Sequence, residues 1–251
     1  MKNHGIQNEY DFVLLFNNKT YTNLDNNSKE FFKDLYGDIV DSDTNINAWK
    51  NSVVQKTDVF IKYKGFIKRI SLKCGNSNSI HHEQIQEFNL FLKKLGVPYK
   101  FINYYLNYHF GYKRNGDKTI NYDIKLTSEE YKKFYQNEID CFNKEINKTK
   151  IIIDMVDRFL IRGKNSDYDI DALVYGTANN YVWLKKYDIY DLILYMRNKE
   201  YTSPHVSCLT IGPKKRNIDG KSNNWKEKYI VCIRWNFIKE NIIEYKKKYR
   251  G

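Results

Sequence analysis

The stretch KTDVFIKYKGFIKRISLKCG, residues 56–75, decides the fold of the N-terminal part of the chain. Two runs rich in β-branched and aromatic residues flank Lys64-Gly65, which is the composition of two strands. A glycine between them favours a two-residue hairpin turn, because such a turn needs positive φ. We therefore expect a β-hairpin in which Tyr63 pairs with Phe66.

The register of this hairpin brings three polar side chains together. Asp58 lies directly opposite Ser71, and Lys73 follows on the same face because side chains alternate along a strand. Opposite residues have Cβ atoms about 5 Å apart and diagonal ones about 7 Å, so Asp58 and Lys73 can reach one small ligand. Hydrolysis of phosphodiesters uses such groups: carboxylates hold Mg²⁺, and a lysine positions the attacking water.

The segments around the hairpin predict an α/β fold. Apolar residues at helical spacing predict helices over 4–17, about 27–36 and about 80–95. A Thr/Ser cap and an acidic first turn predict a long helix from residue 127, broken near Asn147. Residues 99–126 are predicted as strands or as a surface insertion.

The last hundred residues alternate between strands and helices. Strands are predicted at 169–176, 181–186, 205–211 and 228–235, and helices at 189–198 and 237–248. The expected organisation is a catalytic core in residues 1–100 and an α+β C-terminal elaboration in 101–251, either separate or packed with the core as one domain.

Composition points to a folded protein with a polyanionic partner. Of the 251 residues, 41% are hydrophobic and 16% aromatic, which is too high for a disordered chain. The formal net charge of +12 favours nucleic acid, because lysine and arginine release counterions from phosphates. A merely soluble basic protein and a protein of anionic membrane surfaces are the alternatives.

Other classes of site lack their motifs. The four cysteines form no CxxC pair and are predicted to be reduced. Zinc at Cys74, His81 and His82 is disfavoured, because the paired short spacings of structural zinc sites are missing. No phosphate-binding glycine loop or nucleophile elbow occurs. The start of the chain has no apolar signal-peptide region and no run is long enough to span a membrane, so a cytoplasmic setting is expected.

Asp58, followed by Ser71-Leu72-Lys73 on the next strand and then a helix, resembles the PD-(D/E)XK nuclease superfamily, which includes most type II restriction endonucleases. The resemblance covers roughly residues 1–95. The string KTDVFIKYKGFIKRISLKCGNSNSIHHEQI, with Glu9 on a preceding helix, is similar to bacterial restriction-like proteins.

The resemblance implies a restriction-endonuclease-like core, in which a central mixed β-sheet is flanked by helices. It implies Mg²⁺ (or Mn²⁺ as a substitute) held by Asp58 and the Leu72 carbonyl, with Glu9 assisting. Lys73 would orient the nucleophilic water.

One position departs from the family pattern: Ser71 replaces the usual second acid, which removes a metal ligand. Some restriction enzymes with serine there resemble a compensated version that takes a glutamate from the next helix. Thirteen residues separate lysine and glutamate in that pattern, as they separate Lys73 and Glu87, whereas the string SIHHEQI favours Glu83. Both glutamates therefore remain candidates for catalysis and metal binding.

Several polar residues are candidate DNA contacts, most of them to phosphates, which position but do not specify. These residues are Ser71, His81, His82, Arg158, Arg162, Lys214, Lys215 and Arg216.

The expected function is that of a Mg²⁺-dependent endodeoxyribonuclease acting on double-stranded DNA, as a type II restriction enzyme and a homodimer, since palindromic sites mirror two-fold symmetry. The alternatives are a repair or recombination nuclease such as a junction resolvase, and a DNA-binding module with a decayed nuclease site.

Overall fold

The computed structural model describes residues 4–53, 55–74, 78–164, 166–216 and 225–249. Within these ranges the chain is α/β, with a mixed sheet and antiparallel sheets among helices. The helices are α1 His4–Phe16, α2 Asn26–Tyr36, α3 Ile85–Lys94, α4 Tyr99–Phe110, α5 Ser128–Ile146, α6 Thr149–Val156, α7 Lys186–Tyr195 and α8 Ile238–Tyr249. The strands are β1 Asn47–Lys50, β2 Val59–Tyr63, β3 Phe66–Lys73, β4 Ser79–Gln84, β5 Tyr112–Arg114, β6 Ile120–Lys125, β7 Ala172–Thr177, β8 Asn180–Lys185, β9 His205–Val206, β10 Leu209–Pro213 and β11 Ile230–Arg234.

The chain forms two compact units that alternate along the sequence. Unit 1 comprises Met1–Asn78, Val156–Leu192 and Phe237–Gly251, and unit 2 comprises Ser79–Met155 and Ile193–Asn236. Neither unit coincides with residues 1–100 or 101–251.

Unit 1 is built on a five-stranded mixed sheet in the order β1-β2-β3-β7-β8. Strand β3 runs parallel to β7, and the other neighbours are antiparallel. One face of this sheet is covered by α1 and α2, whose phenylalanines interlock edge to face with sheet aromatics; Phe31, for example, contacts Phe12, Tyr181 and Trp183. The predicted helices at 4–17 and 27–36 are therefore confirmed and supply the core of this unit.

The predicted hairpin is confirmed, with the register deduced from its turn. Lys64 and Gly65 have φ of 47° and 84°, which is the double positive φ of a type I′ turn. Tyr63 pairs with Phe66, and Val59 with Ile70. Ile70 lies in the core with α1 and α2, so its neighbours in sequence, Arg69 and Ser71, point to the opposite face.

Unit 2 contains the antiparallel sheet β4-β11-β10-β9 and the β5–β6 hairpin. The predicted helix over 80–95 is wrong in its first part, because residues 79–84 are strand β4 and the helix begins only at Ile85. His81, His82 and Glu83 pair with Ile233, Cys232 and Val231 of the apolar strand β11. This pairing overrides the local helical pattern, because the strand that stabilises residues 79–84 lies about 150 residues later in the chain.

Helix α4 occupies part of the segment predicted as strands or insertion. Its aromatic residues favour strands by composition, but Ile102, Tyr105 and Tyr108 recur at helical spacing and are buried. Thr127 and Glu130 form the capping box that begins α5, and α5 ends at Ile146, as predicted. Among the described residues, no helix is long and apolar enough to cross a membrane.

His109 is a buried base in unit 2 that makes stability depend on pH. Its Nε2 lies 2.9 Å from the Lys228 carbonyl and its Nδ1 lies 3.2 Å from the Tyr105 hydroxyl. Burial lowers its pKa to about 4, against the smaller opposing effect of the Lys228 carbonyl. The neutral imidazole therefore belongs to the folded state.

We predict that wild-type protein loses stability as the pH falls from about 6.5 to about 4, because the unfolded chain takes up a proton at His109 that the folded chain rejects. The loss assigned to this residue is on the order of 3 kcal/mol. Urea denaturation at several pH values checks this, with His109→Gln showing the shallower pH dependence. Parallel curves for the two proteins would assign the pH dependence to other groups.

Candidate functional site

The side chain of Asp58 is the centre of a small polar group in unit 1. Its Oδ2 accepts hydrogen bonds from Ser71 Oγ at 3.2 Å, from the backbone N–H of Leu72 at 2.6 Å and from Lys73 Nζ at 3.4 Å. The side chains of Lys73 and Asp58 are 24% and 20% exposed, so the group is accessible to a ligand. The three residues that the sequence placed on one face are thus in contact.

The backbone explains this convergence. The Asp58 N–H donates to the Ile70 carbonyl and the Asp58 carbonyl accepts from Asn51, so the ladders of β2 with both neighbours extend one residue past Val59. Asp58 is thereby held beside the last residues of β3, within hydrogen-bond distance of Ser71. Ser71 is fully buried and Leu72 nearly so, which makes the carboxylate oxygen the internal partner of two polar groups that water cannot reach.

Two oxygens of this group converge on one cation. Lys73 Nζ donates to the Leu72 carbonyl at 2.9 Å and lies 3.4 Å from Asp58 Oδ2. A carboxylate and a backbone carbonyl are the hard oxygen ligands that Mg²⁺ prefers, and Mg²⁺ often takes only one or two protein carboxylates together with substrate phosphates. The donor set therefore fits Mg²⁺ in kind, with the Lys73 ammonium showing that both oxygens face a common positive charge.

Glu9 lies near this group but pairs elsewhere. Its Oε2 is 2.7 Å from Lys50 Nζ, and Lys50 is the last residue of β1. Burial raises the pKa of the Cys74 thiol. The charge of Lys73 lowers this pKa, and the charges of Glu9 and Asp58 raise it, so all three side chains are close enough to affect the thiol. The predicted role of Glu9 as an assisting ligand remains a prediction.

Lys56 is a residue of this neighbourhood that sequence reasoning missed. It is 9% exposed, and its ammonium donates to the carbonyl of Phe159. Burial, together with the charge of Lys73 and against the smaller effect of Asp58, lowers its pKa to about 7. The only signal in the sequence was a lysine two residues before the aspartate, which is too common to indicate a buried amine.

The remaining carboxylate candidates belong to unit 2. The Glu83 side chain is almost fully buried on β4, with its Oε2 3.8 Å from His81 Nε2. Glu87 is half-buried in the first turn of α3. The predicted helix over about 80–95 would have carried both glutamates, but Glu83 lies on β4 and only Glu87 lies on α3. Their contribution to a site with Asp58 remains a prediction.

His82 contacts a thiol and a hydroxyl in unit 2. Its Nε2 lies 2.9 Å from Ser79 Oγ and 3.1 Å from Cys232 Sγ. Burial, followed by the charges of Lys214, His81 and Arg234, lowers its pKa.

The predicted cationic DNA contacts differ in their exposure and in the groups that they contact. Arg216 donates to the Tyr108 carbonyl and lies over the Tyr108 ring, so its guanidinium supports the fold of unit 2. Lys214 and Lys215 both pair with Glu227 while remaining partly exposed. Arg158 lies in a short π-helical turn over 157–161, and the exposed Arg162, which follows it, pairs with Asp169.

Among the described residues, no group of three or more His, Cys, Asp or Glu side chains is arranged to hold a metal ion. Asp58 and the Leu72 carbonyl are not such a group, because they supply one carboxylate and one backbone oxygen. In comparisons with known proteins, no family model and no curated protein matches the sequence.

We predict that Asp58→Ala lowers the free energy of unfolding by about 1–3 kcal/mol, because it leaves the buried Leu72 N–H without its acceptor. Asp58→Asn keeps an acceptor oxygen and should cost less. Urea denaturation of both variants checks this without reference to activity. Equal losses for Ala and Asn would mean that the charge, and not the hydrogen bond, supports the hairpin.

Proposed function

We propose that this protein is a Mg²⁺-dependent endodeoxyribonuclease that hydrolyses phosphodiester bonds in double-stranded DNA, in the manner of type II restriction enzymes. The observation that carries the proposal is the convergence of Asp58 Oδ2 and the Leu72 carbonyl on the ammonium of Lys73. A carboxylate, a carbonyl and a lysine at one partly exposed point are the groups that metal-assisted phosphodiester hydrolysis needs.

The architecture of unit 1 supports a restriction-endonuclease-like core. The resemblance implies a central mixed sheet flanked by helices, and the sheet that holds Asp58 and Lys73 is mixed, with α1 and α2 packed on one face. Both residues lie on adjacent strands of its interior part, where β3 has neighbours on both sides. Rigid placement of this kind is what a catalytic group requires.

Each residue of the group has a defined task in the proposed reaction. Asp58 and the Leu72 carbonyl would hold Mg²⁺. When bound, the ion neutralises the phosphate and lowers the pKa of its water. Lys73 Nζ donates hydrogen bonds at the same point, so it orients the attacking water and stabilises negative charge on the phosphate oxygens. Ser71 holds the Asp58 carboxylate in place through its hydroxyl.

A second carboxylate would come from Glu9, Glu83 or Glu87. Glu9 belongs to the same unit as Asp58, where its carboxylate pairs with Lys50. Glu83 and Glu87 follow from the compensated family pattern, in which a glutamate replaces the acid missing at Ser71. The formal net charge of +12 supports DNA as the partner, and a homodimer would cut both strands symmetrically.

A DNA-binding module with a decayed site is the second candidate, favoured by Ser71 in place of an acid. A structure-selective repair nuclease is a further alternative with the same chemistry. Plasmid incubated with the protein and Mg²⁺ or Mn²⁺ separates the three: discrete fragments support restriction, nicking or smearing supports the repair class, and retained binding without cleavage supports decay.

We predict that Lys73→Ala reduces plasmid cleavage at least about a hundred-fold, because it removes the donor at the reacting phosphate. The matched control is Lys33→Ala, which removes an exposed lysine from α2 on the opposite side of the sheet and should cleave like wild type. Cleavage by Lys73→Ala at the wild-type rate would contradict the assignment of this site.

We predict that replacing the glutamate which holds the metal raises the Mg²⁺ concentration that cleavage requires. Glu9→Gln, Glu83→Gln and Glu87→Gln are compared in cleavage assays across a Mg²⁺ titration. The variant that lost a ligand should need a higher Mg²⁺ concentration for half-maximal rate, whereas the others should match wild type. Unchanged requirements in all three would leave Asp58 as the protein carboxylate of the site.

A further inference from the structure

A second polar site lies in unit 1, at a pocket of about 390 Å³ beside β3. Its walls come from β3, from the segment 168–171 that leads into β7, from the junction of β8 and α7, and from Leu35 of α2. The pocket and its ion-pair partners bring together five cations and three carboxylates, which leaves a positive balance. They are Lys68, Arg69, Arg162, Lys185 and Lys186, with Asp34, Asp169 and Asp171.

Each of the three carboxylates already has a cationic partner. Asp171 pairs with Lys68, and its second oxygen accepts from the backbone N–H of Arg69. Asp169 pairs with both Arg162 and Lys186. Asp34 pairs with Lys185. The acidic side chains of this site are therefore committed to other groups.

Arg69 is the cation that remains. Its guanidinium lies 4.4 Å from the centre of the Tyr168 ring, and among the described residues no acceptor takes a hydrogen bond from it. A guanidinium that lies over an aromatic ring can still donate hydrogen bonds from its N–H groups, because the ring contacts only its face. An arginine presented in this way matches the paired oxygens of a phosphate group.

The backbone of Tyr168, whose ring lies under Arg69, is itself held in place. The Ser166 hydroxyl donates to the Tyr168 carbonyl at 2.8 Å and accepts from the Tyr168 N–H at 3.1 Å. Beyond it, the Asp171 N–H donates to the Arg69 carbonyl at 2.7 Å, which joins the segment to β3. The backbone segments that carry Arg69 and Tyr168 are thus joined before any ligand arrives, which lowers the entropic cost of binding.

The position of Arg69 relates this site to the one already described. Arg69, Ser71 and Lys73 alternate along β3 on one face, so Arg69 is about 7 Å along the strand from Ser71 and twice that from Lys73. A polyanion lying along this face would meet Lys73 and Arg69 at different phosphates. We propose that Arg69, stacked on Tyr168, binds a backbone phosphate of the DNA substrate near the phosphate that is cleaved.

This inference rests on the proposed function for its ligand, but binding tests it separately from cleavage. Wild type, Arg69→Ala, Arg69→Lys and the control Lys33→Ala are titrated against a short fluorescein-labelled duplex in EDTA, with fluorescence anisotropy at several KCl concentrations. We expect Arg69→Ala to weaken binding about ten-fold and to reduce the salt slope by about one. Arg69→Lys should keep the slope and bind less tightly than wild type, because an ammonium cannot form the bidentate contact. Lys33→Ala should match wild type.

Neutral methylphosphonates placed singly along the duplex then locate the contact. The position that weakens wild-type binding through Arg69 should have no effect on Arg69→Ala. Circular dichroism and urea denaturation establish that Arg69→Ala is folded, and Tyr168→Ala provides a second variant that removes the platform while keeping the charge.

The results separate this inference from the proposed function. Equal salt slopes for wild type and Arg69→Ala, or a wild-type protein that does not bind the duplex, overturn the inference. Calorimetric binding of inorganic phosphate that depends on Arg69, with DNA binding unchanged, overturns it in favour of a small-anion site. Duplex binding that depends on Arg69 without plasmid cleavage sustains the inference and rejects the nuclease.

Discussion

The two-residue turn at Lys64 and Gly65 is the constraint on which the candidate site depends. Because side chains alternate with a period of two, the number of turn residues decides which side chains share a face. Lys64 adopts a positive φ of 47°, which is unfavourable for a residue with a side chain, and its ammonium pairs with Asp41 at 2.6 Å. The carboxylate of Asp41 thus anchors the turn that aligns Asp58 with Ser71.

The local parts of this arrangement could be predicted from the sequence, and the non-local parts could not. Hairpin register follows from turn chemistry within about ten residues, so Asp58, Ser71 and Lys73 were placed correctly. Residues 79–84 read as helix because their partner strand β11 is remote, and pairing energy between remote strands leaves no local signal. The same limit applies to Lys56, whose ammonium donates to the carbonyl of Phe159 about a hundred residues later in the chain.

Two positively charged groups lie at separate points along one face of the sheet of unit 1. Near Asp58, the ammonium of Lys73 lies against two oxygens, and the nearby amine of Lys56 is easily deprotonated because burial lowers its pKa to about 7. Farther along β3, the guanidinium of Arg69 lies over the Tyr168 ring. A polyanion lying along this face would therefore meet two separate cationic side chains, Lys73 and Arg69.

The parallel pairing of β3 with β7 has a consequence for how the protein folds. Ile70 and Ala172 are neighbours in the sheet although about a hundred residues separate them, and most of unit 2 lies in that interval. On the ribosome, the β2–β3 hairpin can form early from local contacts, while the other edge of β3 stays unpaired until β7 has been synthesised. The Asp58 group can thus assemble long before Tyr168 reaches Arg69. Closure of the central sheet is therefore a late step, and during it the exposed edge of β3 is the point most open to misassembly.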